Sequence, residues 1–176
     1  MPNPIQTVLL SYLLAVLPLI ANAQTCQSNT IPASTRHLII NNNNGTVTDN
    51  KTGLMWKQCI EGQDPFTCSG NAGEFNWEEA LRHADDVNNG LAGNNVGYTD
   101  WRLPNIKELD SIIEGQCVEP AINALAFPNT LSEWFWSASP FASNTRSAWG
   151  VNFYYGHNGA ARKYYDYRIR LVRSVQ

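Results

Sequence analysis

Apolar residues recur along this chain in two rhythms, and the switch between them marks the elements. Trp77, Ala80, Leu81, Ala84 and Val87 repeat at helical spacing and form one stripe. Asn76 precedes them as an N-cap, and Glu79 three residues later completes a capping box. Glu78 and Glu79 suit the positive end of that helix, and Asn88-Asn89-Gly90 stops it. A second helix is predicted after Asn105, boxed by Glu108. Ile106, Leu109, Ile112 and Ile113 give it an apolar face, and Gly115 ends it. Pro104 keeps Leu103 out of the helical region, so residues 101–103 should run extended. Trp101 and Leu103 then fall on one side and Arg102 on the other.

The remaining apolar runs are short and bounded by turn formers, as strands are. Residues 36–40, 46–48 and 54–57 read as three strands, with hairpin signals at Asn44-Gly45 and across residues 49–53. Residues 134–139 form an aromatic strand and 147–155 another. Gly156-His157-Asn158-Gly159 is read as a hairpin turn, 160–163 as the return, and 168–175 as the last strand. In that last strand Ile169, Leu171 and Val175 should share one face, with Arg168, Arg170 and Val172 on the other. Two helices among antiparallel strands make an α+β domain.

Composition adds compartment. The chain has 176 residues, 43% of them hydrophobic, and a net charge of −3, which suits one globular domain. Residues 1–23 read as a secretory signal, an apolar run closed by Ala21-Asn22-Ala23, although its start carries no Lys or Arg. Residues 24–35 then form a polar arm and 36–176 the domain. The apolar run is too short to span a bilayer comfortably, so no membrane span is expected. Four cysteines behind such a signal argue for two disulfides. Cys59 and Cys68 are close and separated by polar residues, which makes a local bridge natural and leaves Cys26 for Cys117. A zinc site is disfavoured, because there is no Cys-x-x-Cys pair and the three His are scattered.

Six motifs in order carry a resemblance. They are Gly45-Thr-Val-Thr-Asp-Asn-Lys-Thr-Gly-Leu-Met-Trp56, Trp77-Glu-Glu-Ala80, Asp100-Trp-Arg-Leu-Pro104, Lys107-Glu-Leu109, Phe135-Trp-Ser-Ala-Ser-Pro140 and Arg170-Leu-Val-Arg173. Over residues 36–175 the chain resembles the Lcl C-terminal domain family, named after the end domain of a bacterial collagen-like adhesin. The resemblance implies a C-type-lectin-like fold, in which first and last strands pair. It also implies binding of sulfated polysaccharide at a cell or matrix surface. The chain lacks the adhesin's Gly-x-y stalk, so avidity from a trimeric stalk does not follow. The Trp101–Pro104 and Glu108-Leu109 pattern is also similar to formylglycine-generating-enzyme-like domains. Those enzymes use two late cysteines, and no Cys follows Cys117.

Little in the sequence calls for catalysis. His37, His83 and His157 show no metal-ligand spacing, and Ser137 and Ser139 lie in no nucleophile elbow. Asp85-Asp86-Val87-Asn88-Asn89-Gly90 fails the calcium-loop pattern, and Glu119-Pro120-Ala121 lacks the Asn of a lectin sugar loop. No enzyme, metal or cofactor is therefore expected. The C-terminal end is different, being basic and aromatic on an acidic protein. Tyr155, His157, Asn158, Arg162, Lys163, Tyr165 and Arg168 are the candidate ligand-binding residues, with Tyr154, Tyr164, Tyr167, Arg170 and Arg173 beside them. Arg forks bind sulfate or carboxylate, and Tyr faces stack on sugar rings. The competing reading packs half of these tyrosines into the core and pairs the arginines with local carboxylates. Of the tryptophans, Trp134 and Trp136 share a strand face and are the pair best placed for stacking, although core packing is the default for all six. The sequence thus points to an exported, non-catalytic binding domain for an anionic polysaccharide. The alternative is an envelope or pilus subunit whose partner is another protein. Nucleic acid is excluded by export and net acidity.

Overall fold

A computed structural model describes residues 24–27, 33–35 and 40–175. The signal segment and residues 36–39 of the first expected strand lie outside the described residues. At the start, β1 (Thr25–Cys26) pairs antiparallel with β5 (Cys117–Val118), and the register sets Cys26 opposite Cys117. A disulfide joins them, and a second links Cys59 to Cys68, leaving no free cysteine. Both expected pairings are therefore present, and the zinc alternative falls with them.

Two further sheets carry the domain. One has the order β2-β3-β4-β9, with β2 (Ile40–Asn41), β3 (Thr46–Asp49), β4 (Leu54–Lys57) and β9 (Val172–Ser174), all antiparallel. Among the described residues, the last strand pairs with β4 and lies at the opposite edge from β2, and the expected pairing of first and last strands is not seen there. Gly45 turns the first hairpin at φ +81°, and a Cβ there would come within 2.7 Å of the Pro65 carbonyl oxygen, so glycine is required. The other sheet has the order β6-β7-β8, with β6 (Trp134–Pro140), β7 (Ser147–Asn152) and β8 (His157–Arg162). The helices are α1 (Trp77–Asn88) and α2 (Ile106–Ser111), and both carry the anticipated Asn–Glu capping box.

The segment from Tyr167 to Ser174 stitches these parts together. Tyr167 exchanges backbone hydrogen bonds with Phe75, Arg168 pairs across to Trp134 and Trp136, and Val172 exchanges bonds with Arg102. The Leu171 and Ile169 carbonyls accept from Lys57 and Glu61. Its side chains alternate between two cores, as expected. Ile169 and Leu171 join Met55, Ala84, Trp101, Leu103 and Trp136, while Val172 joins Trp56, Leu109, Phe127, Phe135 and Val151. Val175 does not follow, being 43% exposed.

Three boundaries differ from the expected ones. Helix α2 ends at Ser111 because the Ile113 N–H bonds back to Asp110, a tight last turn that frees Ile113 to pair with Ile122. The hairpin turn occupies residues 153–156, three residues early. Asn152 starts it by accepting the Tyr154 N–H on its side chain, and Gly156 closes it at φ +70°. Residues 157–162 therefore form strand β8 in place of a turn. The last strand shortens to Val172–Ser174, since residues 167–171 bond to several different elements instead of one ladder.

Candidate functional site

The residues expected to form one patch separate into three groups. Strand β8 is six residues long, about 17 Å end to end, and parts them. At one end Tyr155 is exposed against Tyr154, and Asn158 donates to Asp110 Oδ2 at 2.8 Å. The Tyr154 hydroxyl is hydrogen-bonded to Glu119 and pushed up to about 12. In the register Trp134, Asn152 and His157 share a cross-strand row, so His157 belongs to the opposite sheet face from Asn158. The His157 ring meets Trp134 edge-on at 5.4 Å.

At the other end of β8 lie Arg162 and Lys163. Arg162 pairs in register with Ser147, and the Lys163 N–H donates to the Arg146 carbonyl at 3.0 Å, so Arg146 joins them. The Lys163 ammonium sits 3.9 Å above the Trp77 ring, a cation–π contact. Exposed Tyr164 and Tyr165 follow, and the Tyr165 hydrogen bond raises the Tyr164 hydroxyl above its ordinary range. Among the described residues, no carboxylate pairs with Arg146, Arg162 or Lys163. A groove of about 410 Å³ lined by Asn76, Trp77, Glu78, Lys163 and Tyr164 opens here.

The third group is structural. Arg168 donates to Glu133 at 2.6 Å and to the Ala72 carbonyl at 2.7 Å, and its other nitrogen lies 3.0 Å from Glu74. Arg170 is wholly buried over Phe127, donating to the carbonyls of Lys57 and Gln58 and to Thr130. Burial pushes its guanidinium down to about 9, so it remains charged at neutral pH. Arg173 donates to Asp100 at 2.6 Å and covers the Tyr98 ring. Arg168 thus leaves the expected patch, because it fastens the C-terminal segment to the residue 72–74 loop and to β6. Arg146 enters it. Its place depends on the β7–β8 register, which the early turn sets and which sequence spacing alone did not reveal.

One cluster elsewhere has a chemical look. Lys57, Glu61 and His83 form a buried chain, with Nζ–Oε1 at 2.7 Å and Nε2–Oε2 at 2.9 Å, beside a cavity of about 270 Å³. Burial pushes the Glu61 carboxyl up, but the His83 hydrogen bond and the Lys57 charge outweigh this and hold it below the usual range. Ser137 is buried and donates to the Trp149 carbonyl. His37 lies outside the described residues. Among the described residues no cluster of three or more His, Cys, Asp or Glu could hold a metal, and no helix is long and apolar enough to cross a membrane.

Compared with known sequences, residues 45–173 match the Lcl C-terminal domain family. A search of curated proteins finds no match.

Proposed function

Since the chain belongs to the Lcl C-terminal domain family, we propose that it is an exported, adhesin-like, non-catalytic binding domain for an anionic polysaccharide. The family takes its name from the end domain of a bacterial collagen-like adhesin. Two disulfides suit an oxidising, extracytoplasmic address. The observation that carries the ligand class is the cationic end of the β7–β8 hairpin. Arg146, Arg162 and Lys163 meet there without a carboxylate partner among the described residues, beside exposed Tyr164 and Tyr165. Guanidinium forks match the planar oxygen pairs of sulfate and carboxylate, and tyrosine faces take the C–H surface of a sugar ring. The reading is tested by glycan binding of the chain with these three cations reversed to Glu. A protein partner is the second reading, and it rests on β8. Among the described residues this strand has β7 as its only strand neighbour and offers an open edge for another chain.

A further inference from the structure

A second surface on the same sheet has the opposite charge and a different chemistry. Trp134 lies across β7 and β8 where both carry glycine. A Cβ on Gly159 would come within 3.0 Å of the indole Cη2, and one on Gly150 within 3.6 Å of Cε3. Gly159 leaves the room that the indole occupies, while at Gly150 a Cβ would first meet the Phe135 carbonyl oxygen, at 2.7 Å. Tyr167 stacks beside the indole, with centroids 5.8 Å apart and planes 17° apart, and is backed by buried Trp136 at 4.5 Å. The result is a pair of nearly parallel rings, Trp134 and Tyr167, held from below and open along a cleft of about 330 Å³.

Carboxylates form the rest of that cleft. Glu74, Glu133 and Asp166 line it with Asn152, Trp134 and Tyr167. Arg168 fixes the first two, with one nitrogen 2.6 Å from Glu133 and another 3.0 Å from Glu74. Among the described residues, no ion pair or side-chain hydrogen bond engages Asp166. Three carboxylates against one guanidinium leave the cleft anionic, which repels sulfate and uronate groups. Carboxylate oxygens accept from hydroxyls, and the rings offer a stacking platform.

We propose that this cleft binds an uncharged saccharide, with a sugar ring stacked on Trp134 and Tyr167 and its hydroxyls donated to Asp166, Glu133 and Glu74. The site is separate from the cationic end of the hairpin and independent of the polysaccharide reading given above. One chain would then hold a charged and a neutral stretch of glycan on two surfaces of one sheet.

The test is calorimetric titration of residues 24–176 with cellohexaose, chitohexaose and maltohexaose, at low and at high salt. Asp166→Asn removes an acceptor at an exposed position, and Trp134→Leu removes the platform. Thermal melts check that both variants are folded. The expected result is salt-insensitive binding of at least one hexasaccharide. Both variants should weaken it roughly tenfold or more, the loss of about 1.4 kcal/mol that one such contact makes, while Arg162→Glu leaves it intact. Absence of binding by all three, or binding retained by both variants, overturns the proposal. A chain that binds sulfated glycans but no neutral one would lose this inference alone.

Discussion

The guanidinium of Arg168 holds Glu133 through an Nε–Oε2 hydrogen bond of 2.6 Å. Six residues earlier in the chain, Arg162 is exposed and has no such partner among the described residues. This contrast sorts the basic C-terminal residues into those that build the fold and those left to face solvent.

Stability should follow that division. Arg170→Met strips donors from the buried carbonyls of Lys57 and Gln58 and from Thr130. It should cost about 3 kcal/mol, because acceptors left buried without a donor carry their desolvation penalty. Arg162→Gln should stay within about 0.5 kcal/mol of the parent. Urea unfolding of the two variants checks this, and equal losses would contradict the assignment.

The two disulfides should differ in worth. By the chain-entropy argument, the Cys26–Cys117 bridge, with a separation of 91, contributes roughly 4.6 kcal/mol. The Cys59–Cys68 bridge, with a separation of 9, contributes roughly 2.7 kcal/mol. Paired Cys→Ser variants compared by denaturant midpoint should fall in that order, and the reverse order would count against it.

Glu108 has two tasks at the start of α2. It accepts the Asn105 N–H at 2.8 Å and, with both oxygens, the Arg102 guanidinium at 2.7 Å. Asn105→Ala should cost about 1 kcal/mol as a lost cap. Glu108→Ala should cost more than Arg102→Ala, since it removes the cap acceptor as well as the ion pair. Melting temperatures of the three variants test that ranking.

Acid should unfold the protein through its paired carboxylates. Glu61 is held low by His83 and Lys57 against the opposing effect of burial, and the Arg173 hydrogen bond lowers Asp100. A carboxylate lowered in the folded state stabilises above its unfolded value, about 4.3 for Glu, and loses that contribution as pH falls through the folded value. Stability should be level from neutrality to about pH 5 and drop below about pH 4. Glu61→Gln should be weaker at neutral pH and show a shallower acid fall. An unchanged slope would remove Glu61 from the explanation.

Local rules were the legible part of this sequence. Asn76 with Glu79 and Asn105 with Glu108 announced both helix starts, and the spacing of Cys59 and Cys68 suggested their bridge. What stayed hidden depends on contacts across the chain. Gly159 looked like a turn residue together with Gly156, yet the early turn puts it in β8, where a Cβ would come within 3.0 Å of the Trp134 indole. Arg168, Arg170 and Arg173 looked like Arg162, and only the central path of their segment separates them. Arg146 was overlooked since its neighbour Lys163 is set by strand register.

The central claim is that the cationic end of the hairpin takes an anionic polysaccharide. Its most direct measurement is binding of residues 24–176 to an array of sulfated and neutral glycans, at low and physiological salt. The parent chain would be run beside a variant with Arg146, Arg162 and Lys163 changed to Glu. The account predicts binding to sulfated glycans that weakens as salt screens it and disappears in the variant. Sulfated-glycan binding that the variant keeps, or none by the parent chain at low salt, would contradict it.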